Sequence, residues 1–520
     1  MNSSSRNSSG DDDEIEADIE EDDEAEGADK LDPGDKEARM NRAQNVHQPS
    51  KFRNRFFEPP GEGDGEDPRK GRVYAAIEVP EPENDFTRNQ PYEQEPVFLE
   101  CVETSWFHSQ QSSENTALWT DIYESAPLSV LELTAYSLPP FPDGAQPGDI
   151  AWYEFGYEPA SASASDARIY TSLFSDGADV KISFHEPRPL GWQGKGPMGS
   201  QGWIAQATSN RPATPNSQDR IRAALTRLDI SGGVAFYDVG QGACQAGVDS
   251  SMHLPQLYVD FGGGVLTNRK TFPDVFSGFC FTAKPMVVLS HWDWDHWSSA
   301  QRHPASMVAP WLAPPVPMKP IQQAFAAELY VRGSLHIWDH TWPATVSEGP
   351  VTIERCTGRT ANDSGLAVTL RRGARSAKNC LLPGDAAYAY IPSVSAGGTY
   401  NALCMTHHGG RLHSAVYPKP KRGAVSVLSA GPRNSYRHPM FSTLAAHLEY
   451  GWKFPTGTAV SGQRPCHVLV PWGSHPHIFQ GGCHGRECAT AIAAIAPSSP
   501  EVHSFAHPAA VKMVRTLVTA

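Results

Sequence analysis

Four residues of ligand type fall within six positions of "SHWDWDH": His291, Asp293, Asp295 and His296. They follow directly on the apolar run Val287, Val288, Leu289. Imidazole nitrogens and carboxylate oxygens are the usual ligands of divalent transition metals, and an extended turn after a strand sends alternate side chains to one side. One such residue is accounted for by a helix cap or a polar loop. Four at this spacing are not. Three further strand-like runs end the same way: "LLPGD" in Asp385, "CMTHHGG" in His407 and His408, and "NSYRHP" in His438. The set is large enough for two ions sharing a carboxylate, with Asp295 and Asp385 the carboxylates nearest the chemistry.

Strands must deliver these residues. From "GGVAFYDVGQGAC" and "PQLYVDFGGG" onward, short apolar runs alternate with helix-like segments such as "IQQAFAAELYVRG" and "FSTLAAHLEYGW". That alternation predicts a layered α/β architecture over residues 230–520. Ahead of it, residues 73–229 carry strand-like patches ("PVFLECVE", "DIAWYEFGYEP") broken by Pro, Gly and Ser, which predicts a β-rich accessory region. The stretch "ATSNRPATPNSQD" reads as the linker between them.

Charge is concentrated at the start. The first thirty residues hold 13 Asp or Glu against 2 Lys or Arg, so most of the formal net charge of −15 lies there. Residues 1–72 are expected to form a disordered acidic tail, because so polar a segment cannot bury enough surface to offset its ordering entropy. No run of about 18 apolar residues is present, nor the apolar centre of a signal peptide, so the expectation is a soluble, cytoplasmic protein with no membrane span. Nine scattered cysteines suggest buried thiols rather than a disulfide framework.

Taken in order, "FYDVGQGAC", "LYVDFGGG", "SHWDWDH", "LLPGD", "THHGG" and "NSYRHP" resemble the metallo-β-lactamase superfamily. Within it the chain is most similar to the soluble hydrolase domain of bacterial DNA-uptake (competence) channel proteins. The resemblance covers about residues 232–456 and implies a four-layer αβ/βα sandwich with metal between the sheet edges. It implies that His291 and Asp293 bind one ion, that Asp295 and His296 bind the other, that Asp385 bridges, and that His407 and His438 complete the spheres. Asp260 would orient ligands without binding metal, while the roles of His408 and Asn362 stay open, Asn362 standing where a ligand histidine is common. Trp297, Ser298, Ser299, Gly410 and Arg437 also depart from the pattern, which bears on substrate contacts.

Three carboxylates among the ligands suit manganese or iron better than an all-imidazole set would, while zinc follows family habit, so two Zn2+ or Mn2+ ions are expected. Such a centre would lower the pKa of a bridging water toward about 7, giving a hydroxide nucleophile. The expected activity is hydrolysis of a phosphodiester, in a nucleic acid or a nucleotide. Hydrolysis of a carboxylic ester, lactone or thioester is the alternative on the same site, and a non-catalytic binding or regulatory protein is the alternative of another class. Arg411, Arg433 and Arg437 could contact phosphate, as could Arg371, Arg372, Arg375 and Lys378. Trp292, Trp294 and Trp297 could stack bases or stiffen the ligand loop, the latter being preferred. Asp363 reads as an ordinary turn residue. A cluster from Cys466 to Cys488 could hold a separate zinc, with plain thiols as the default. A protein partner could dock on the accessory region or the tail.

Overall fold

Strands of the accessory region alternate apolar residues on both faces, and this dictates how they close. In the computed structural model they are β1 (Gly71–Glu78), β2 (Val97–Glu103), β3 (Leu128–Leu133), β4 (Ile150–Pro159), β5 (Ala167–Tyr170) and β6 (Ala178–Phe184). They form a closed barrel in the order β1-β2-β3-β5-β6-β4. Val73, Ala75, Leu99, Cys101, Leu131, Tyr153 and Phe155 fill its interior. The intervening residues Tyr74, Ala76, Val102, Val130 and Trp152 point out and join a second core. A helix, α1 (Thr104–Ser112), follows β2 directly. The structure describes residues 54–58, 69–82, 96–112, 123–133, 140–141, 143–184, 217–274, 276, 279–315, 319–338, 341–457, 466–480 and 493–494.

The rest of the described chain builds two mixed sheets. After α2 (Ser217–Thr226) come β7 (Gly233–Phe236), β8 (Gln245–Val248), β9 (Pro255–Val259), β10 (Met286–Val288), β11 (Trp311–Ala313), α3 (Pro320–Val331) and β12 (Leu335–Ile337). The second sheet holds β13 (Thr345–Glu348), β14 (Val351–Arg355), β15 (Leu366–Arg371), β16 (Asn379–Leu382), β17 (Thr399–Cys404), β18 (Lys419–Leu428) and β19 (Lys453–Gly457), with α4 (Phe441–Glu449) between the last two. The chain then returns to the first sheet as β20 (His467–Pro471), β21 (His477–Gln480) and β22 (Ala493–Ala494), giving the order β12-β11-β10-β9-β8-β7-β20-β21-β22. In both sheets an antiparallel half gives way to a parallel one, β9 to β12 and β16 to β19.

One core joins the sheets. Leu257, Val259, Met286 and Val288 of the first pack with Ile353, Leu366, Val368, Leu382 and Ala402 of the second. Neighbours one residue along, Tyr258 and Val287, turn to the opposite face and meet α3 and the outer wall of the barrel. The barrel is therefore a covering layer of the first sheet. Between 25 and 30 cal/mol of stabilisation per Å² of apolar area attends such burial, about 1.5–3 kcal/mol for each large side chain.

Two sequence boundaries need correction. Residues 54–58 are not tail: Asn54 caps a 3-10 turn at Phe56 N, and Phe56 and Phe57 are buried, the latter edge-on to Trp297 at 5.7 Å and Phe325 at 6.4 Å. A polar, highly charged composition hid this short aromatic anchor. Likewise α2 belongs with the sheets rather than the accessory region, since Ile221 and Leu225 enter the inter-sheet core and Arg222 pairs with Glu348 at 2.6 Å. The expected tail over 1–53 and most of the expected linker lie outside the described residues. Among the described residues no helix is long and apolar enough to cross a membrane.

Candidate metal centre

The C-terminal ends of the parallel strands converge on one buried cluster. β9 leads into Asp260, which has φ +57° and no exposed surface. Its Oδ1 accepts from Ser290 N at 2.7 Å, and its Oδ2 accepts from Ser290 Oγ at 2.9 Å and His296 Nδ1 at 2.8 Å. β10 delivers Ser290 and His291, and a 3-10 turn over Trp294–His296 folds the chain back so that His296 faces His291, ring centroids 4.1 Å apart. This return requires Gly262: a Cβ there would lie 1.6 Å from the Asp295 carbonyl oxygen. β16 leads into Asp385 and β17 into His407 and His408.

Hydrogen bonding fixes the tautomers. His296 Nδ1 donates to a carboxylate and His408 Nδ1 donates to Ser429 O at 2.7 Å, so each ring offers Nε2 as its open position. Ser290 Oγ, having given its hydrogen to Asp260, accepts from His291 Nδ1 at 3.0 Å, which leaves His291 Nε2 buried without a hydrogen bond. These outer contacts are the kind that orient metal-binding histidines. All three Nε2 atoms turn to Asp385: 3.2 Å from His296, 3.7 Å from His408 and 3.8 Å from His291. Asp295 Oδ2 lies 3.3 Å from His408 Nε2, and Asp293 Oδ2 lies 3.6 Å from His291 Nε2.

Those separations are those of atoms around a cation. Two ligands on one tetrahedral ion at about 2.1 Å stand about 3.4 Å from each other. His291, His296 and Asp385 form one group whose donor atoms lie within 4.8 Å of one another; Asp295, His296 and His408 form another. His296 Nε2 and His408 Nε2 sit 3.2 Å apart. With both Nδ1 atoms protonated, two lone pairs face each other unless a proton or a metal stands between them.

The chain's charges respond accordingly. Burial works against ionisation of Asp385, but His296, His408 and His407 outweigh it and hold its pKa well below the carboxylate range. Asp295 is lowered for the same reason, burial being overcome chiefly by His408 and His296. Burial likewise opposes charge on His296 and His408, yet Asp385 above all raises both. The cluster therefore retains its negative carboxylates and gathers positive charge.

Other sequence-predicted residues occupy distinct places. His407 and His408 both adopt left-handed backbone, φ +50° and +51°, a cost of about 1–2 kcal/mol per residue for a side-chain-bearing position. The result presents both imidazoles: His408 inside the cluster, His407 at 3.9 Å from Asp385 Oδ2. His438 stands beside them, its ring 5.3 Å from that of His407, on a loop that Asn434 clamps by donating to His438 O at 2.7 Å and accepting from His438 N at 3.0 Å. Asn362 is half-buried. Asp363 is more than a turn residue: it is buried, and accepts from Ala387 N at 2.8 Å just beyond Asp385 and from Thr360 Oγ1 at 3.0 Å.

Of the basic residues, Arg433 and Arg437 are exposed beside His438 and Arg411 is half-buried. The group Arg371 to Lys378 is not at the centre, because Arg371 pairs with Asn379 at the far ends of β15 and β16. Trp292 and Trp297 are fully buried scaffold, with Trp292 Nε1 donating to Pro314 O, Trp297 Nε1 to Trp292 O, and Trp297 stacked on Phe325 at 4.1 Å. In the C-terminal cluster His467 Nδ1 accepts from Asp238 N at 2.8 Å, whereas Cys483, His484 and Cys488 lie outside the described residues.

Sequence reasoning missed the residues that reach the centre from afar. Beside Asp295 lies a small recess walled by Phe98, Trp294 and Tyr436, with Gln241 at its base. Phe98 comes from the barrel and meets Trp294 edge-on at 5.7 Å. Both polar side-chain atoms of Gln241 are buried and make no hydrogen bond among the described residues. Lys319, at the start of α3, places Nζ 3.7 Å from Asp293 Oδ1 and 4.0 Å from Glu100 Oε1 of β2. Gln322 Nε2 donates to Asp293 Oδ1 at 3.2 Å. No local motif announces contacts between positions 221 residues apart, such as Ile321 N and Glu100 Oε2.

No family model and no curated protein matches the sequence. Among solved structures, a mutant of the CmlA β-hydroxylase aligns with a TM-score of 0.26 and 12% identity, over 58% of this chain and 67% of that one. CmlA itself, a diiron β-hydroxylase from Streptomyces venezuelae, aligns with a TM-score of 0.20 and 12% identity, over 48% of this chain and 49% of that one. TM-scores of this size do not establish a shared fold.

Proposed function

We propose that the chain is a metal-dependent enzyme of metallo-β-lactamase type, a four-layer sandwich whose paired divalent ions serve hydrolysis of a phosphodiester. The observation that supports it best is the 3.2 Å approach of His296 Nε2 and His408 Nε2 over Asp385 and Asp295, an opposition of lone pairs that a metal ion or a proton between them relieves. His291, Asp293 and Asp385 would hold one ion, and Asp295, His296, His408 and Asp385 the other, with half-buried His407 and buried His438 beside them. Ions held there supply Lewis acidity and an activated water. The chain's own residues orient: Asp260, Ser290 and Ser429 O keep each Nε2 aimed inward, and Phe98, Trp294 and Tyr436 shield Asp295 from bulk water. Arg433 and Arg437, exposed on the loop of His438, would give an anionic substrate cationic partners.

A second reading is favoured by the same ligands. Three carboxylates make the site oxygen-rich, which suits iron as well as manganese, and iron could serve oxidation by dioxygen in place of hydrolysis. Elemental analysis of protein purified without added metal, followed by a substrate panel on that sample, separates the two. Zinc or manganese with cleavage of bis(p-nitrophenyl) phosphate supports the first reading. Iron with oxygen uptake and no cleavage supports the second. Cleavage confined to p-nitrophenyl esters or lactones replaces the phosphodiester with the ester.

A further inference from the structure

Away from the metal ligands, a cavity of about 410 Å³ opens where the barrel's β5–β6 connection meets the first sheet. Phe174 from that connection and Phe272 from the segment after β9 form two of its walls. Between them lies the guanidinium of Arg302, 4.8 Å from the Phe174 ring centroid and 4.2 Å from that of Phe272. Arg302 Nη2 donates to Gly264 O, but Nη1 is buried and has no hydrogen-bond partner among the described residues. His303, also in the lining, buries an Nε2 that makes no hydrogen bond and stacks its ring on Phe281 at 5.1 Å.

The surrounding carboxylates leave that arginine uncompensated. Arg269 at the rim pairs with Asp176, and Asp274, the carboxylate of the lining, is exposed and makes no ion pair with either arginine among the described residues. Burial lowers the Arg302 guanidinium to about 9. A charge desolvated in this way, without a counter-ion, is unfavourable unless something else supplies the anion. Ring faces contribute cation–π attraction but accept no hydrogen bond in the plane of the guanidinium, where Nη1 points its donors.

We propose that this cavity is a second ligand site, taking a small organic anion whose carboxylate or phosphate meets Arg302 Nη1 and His303 Nε2 and whose planar apolar body lies along the phenylalanine walls. The size fits: sites for small molecules commonly span about 300–1,000 Å³ and often lie at junctions between structural units. Arginine with aromatic neighbours is the pairing that such a ligand matches.

The test reads Arg302 itself, so that ligand bound at the metal centre does not register. The full chain with its native metal is treated with phenylglyoxal, and modification of the peptide carrying Arg302 is followed by mass spectrometry with benzoate, phenyl phosphate, benzyl alcohol or inorganic phosphate present. Benzoate and phenyl phosphate, at about ten times their dissociation constants, should slow modification of Arg302 about tenfold, as the free fraction falls by 1 + [L]/Kd. Benzyl alcohol should protect far less. Equal protection by inorganic phosphate would overturn the apolar part of the site, and no protection by either aromatic anion would overturn the whole. Arg302→Gln and Phe174→Ala should each give a smaller benzoate-induced rise in melting temperature than the wild type; a rise undiminished in a folded variant of either kind contradicts the proposal, and the labelling result stands if a variant does not fold.

Discussion

At the residue scale, three histidines share one device: an acceptor at Nδ1 that leaves Nε2 open toward Asp385. Removing Asp260's charge should therefore loosen the metal without removing a ligand. Asp260→Asn is expected to weaken metal binding about 10–100-fold, read by competition with a chelator, while the circular dichroism spectrum is kept. Unchanged affinity would mean that the ring orientation does not depend on this carboxylate. Asp363→Asn is the instructive contrast, since the turn looks incidental in the sequence. Its buried carboxylate accepts from Ala387 N and Thr360 Oγ1, so the amide should cost about 1–3 kcal/mol in urea denaturation, and a silent substitution would contradict this placement. The ligand-type residues were legible because strand ends followed by His and Asp are local patterns. Which of His407 and His408 enters the cluster was not, because it depends on two successive left-handed residues that only the folded loop enforces.

At the element scale, α4 holds the THHG turn through a relay. His447 Nδ1 donates to Thr443 O at 2.7 Å, its Nε2 accepts from Tyr388 OH at 2.8 Å, and Tyr388 OH accepts from Thr406 N at 3.2 Å. This chain works only with neutral His447, and burial lowers its pKa to about 4. Because the folded value lies below the unfolded value of about 6.5, the unfolded chain binds the extra proton first as pH falls. Stability contributed by His447 is complete above pH 6.5 and lost progressively down to about pH 4. The slope of unfolding free energy against pH in that window should be shallower in His447→Gln than in the wild type, by up to about one proton's worth; equal slopes would contradict a neutral, buried imidazole. The barrel acts through a second element, α3. Burial raises Glu100 to about 7 even against the attraction of Lys319, and the two sit behind Asp293. Lys319→Met should cost about 3–5 kcal/mol by stranding Glu100 and Asp293, and Glu100→Gln should restore part of that loss. No restoration in the double variant would show that the barrel and the site are not coupled here. The strand-like runs "PVFLECVE" and "DIAWYEFGYEP" foretold β2 and β4, while β1 and β5 were not singled out. They could not foretell closure, or that Phe98 and Glu100 would face the ligand loop, since pairing partners far apart in the chain leave no local trace.

At the scale of the whole molecule, one anchor joins the start of the described chain to the centre. Phe57 packs against Trp297, one residue past His296, and Phe56 packs against Phe57. A chain beginning at Lys51 should keep the melting temperature of the full protein. A chain beginning at Gly71 should lose about 3–5 kcal/mol for the deleted aromatic packing, with a matching fall in melting temperature; equal stability of the two would refute the anchor. The acidic composition of the first residues made the entire stretch to Arg72 look alike, because two phenylalanines among charged neighbours carry no periodic signal.

The central claim is that Asp385 and the histidines around it form a shared cation site, and metal content tests it most directly. Wild-type protein and Asp385→Asn, purified side by side without added metal and exhaustively dialysed, are analysed by inductively coupled plasma mass spectrometry. Asparagine keeps the shape but not the charge that offsets both ions, so the wild type should carry about two divalent ions per chain and the variant few or none. A variant that retains the wild-type metal content would contradict the account.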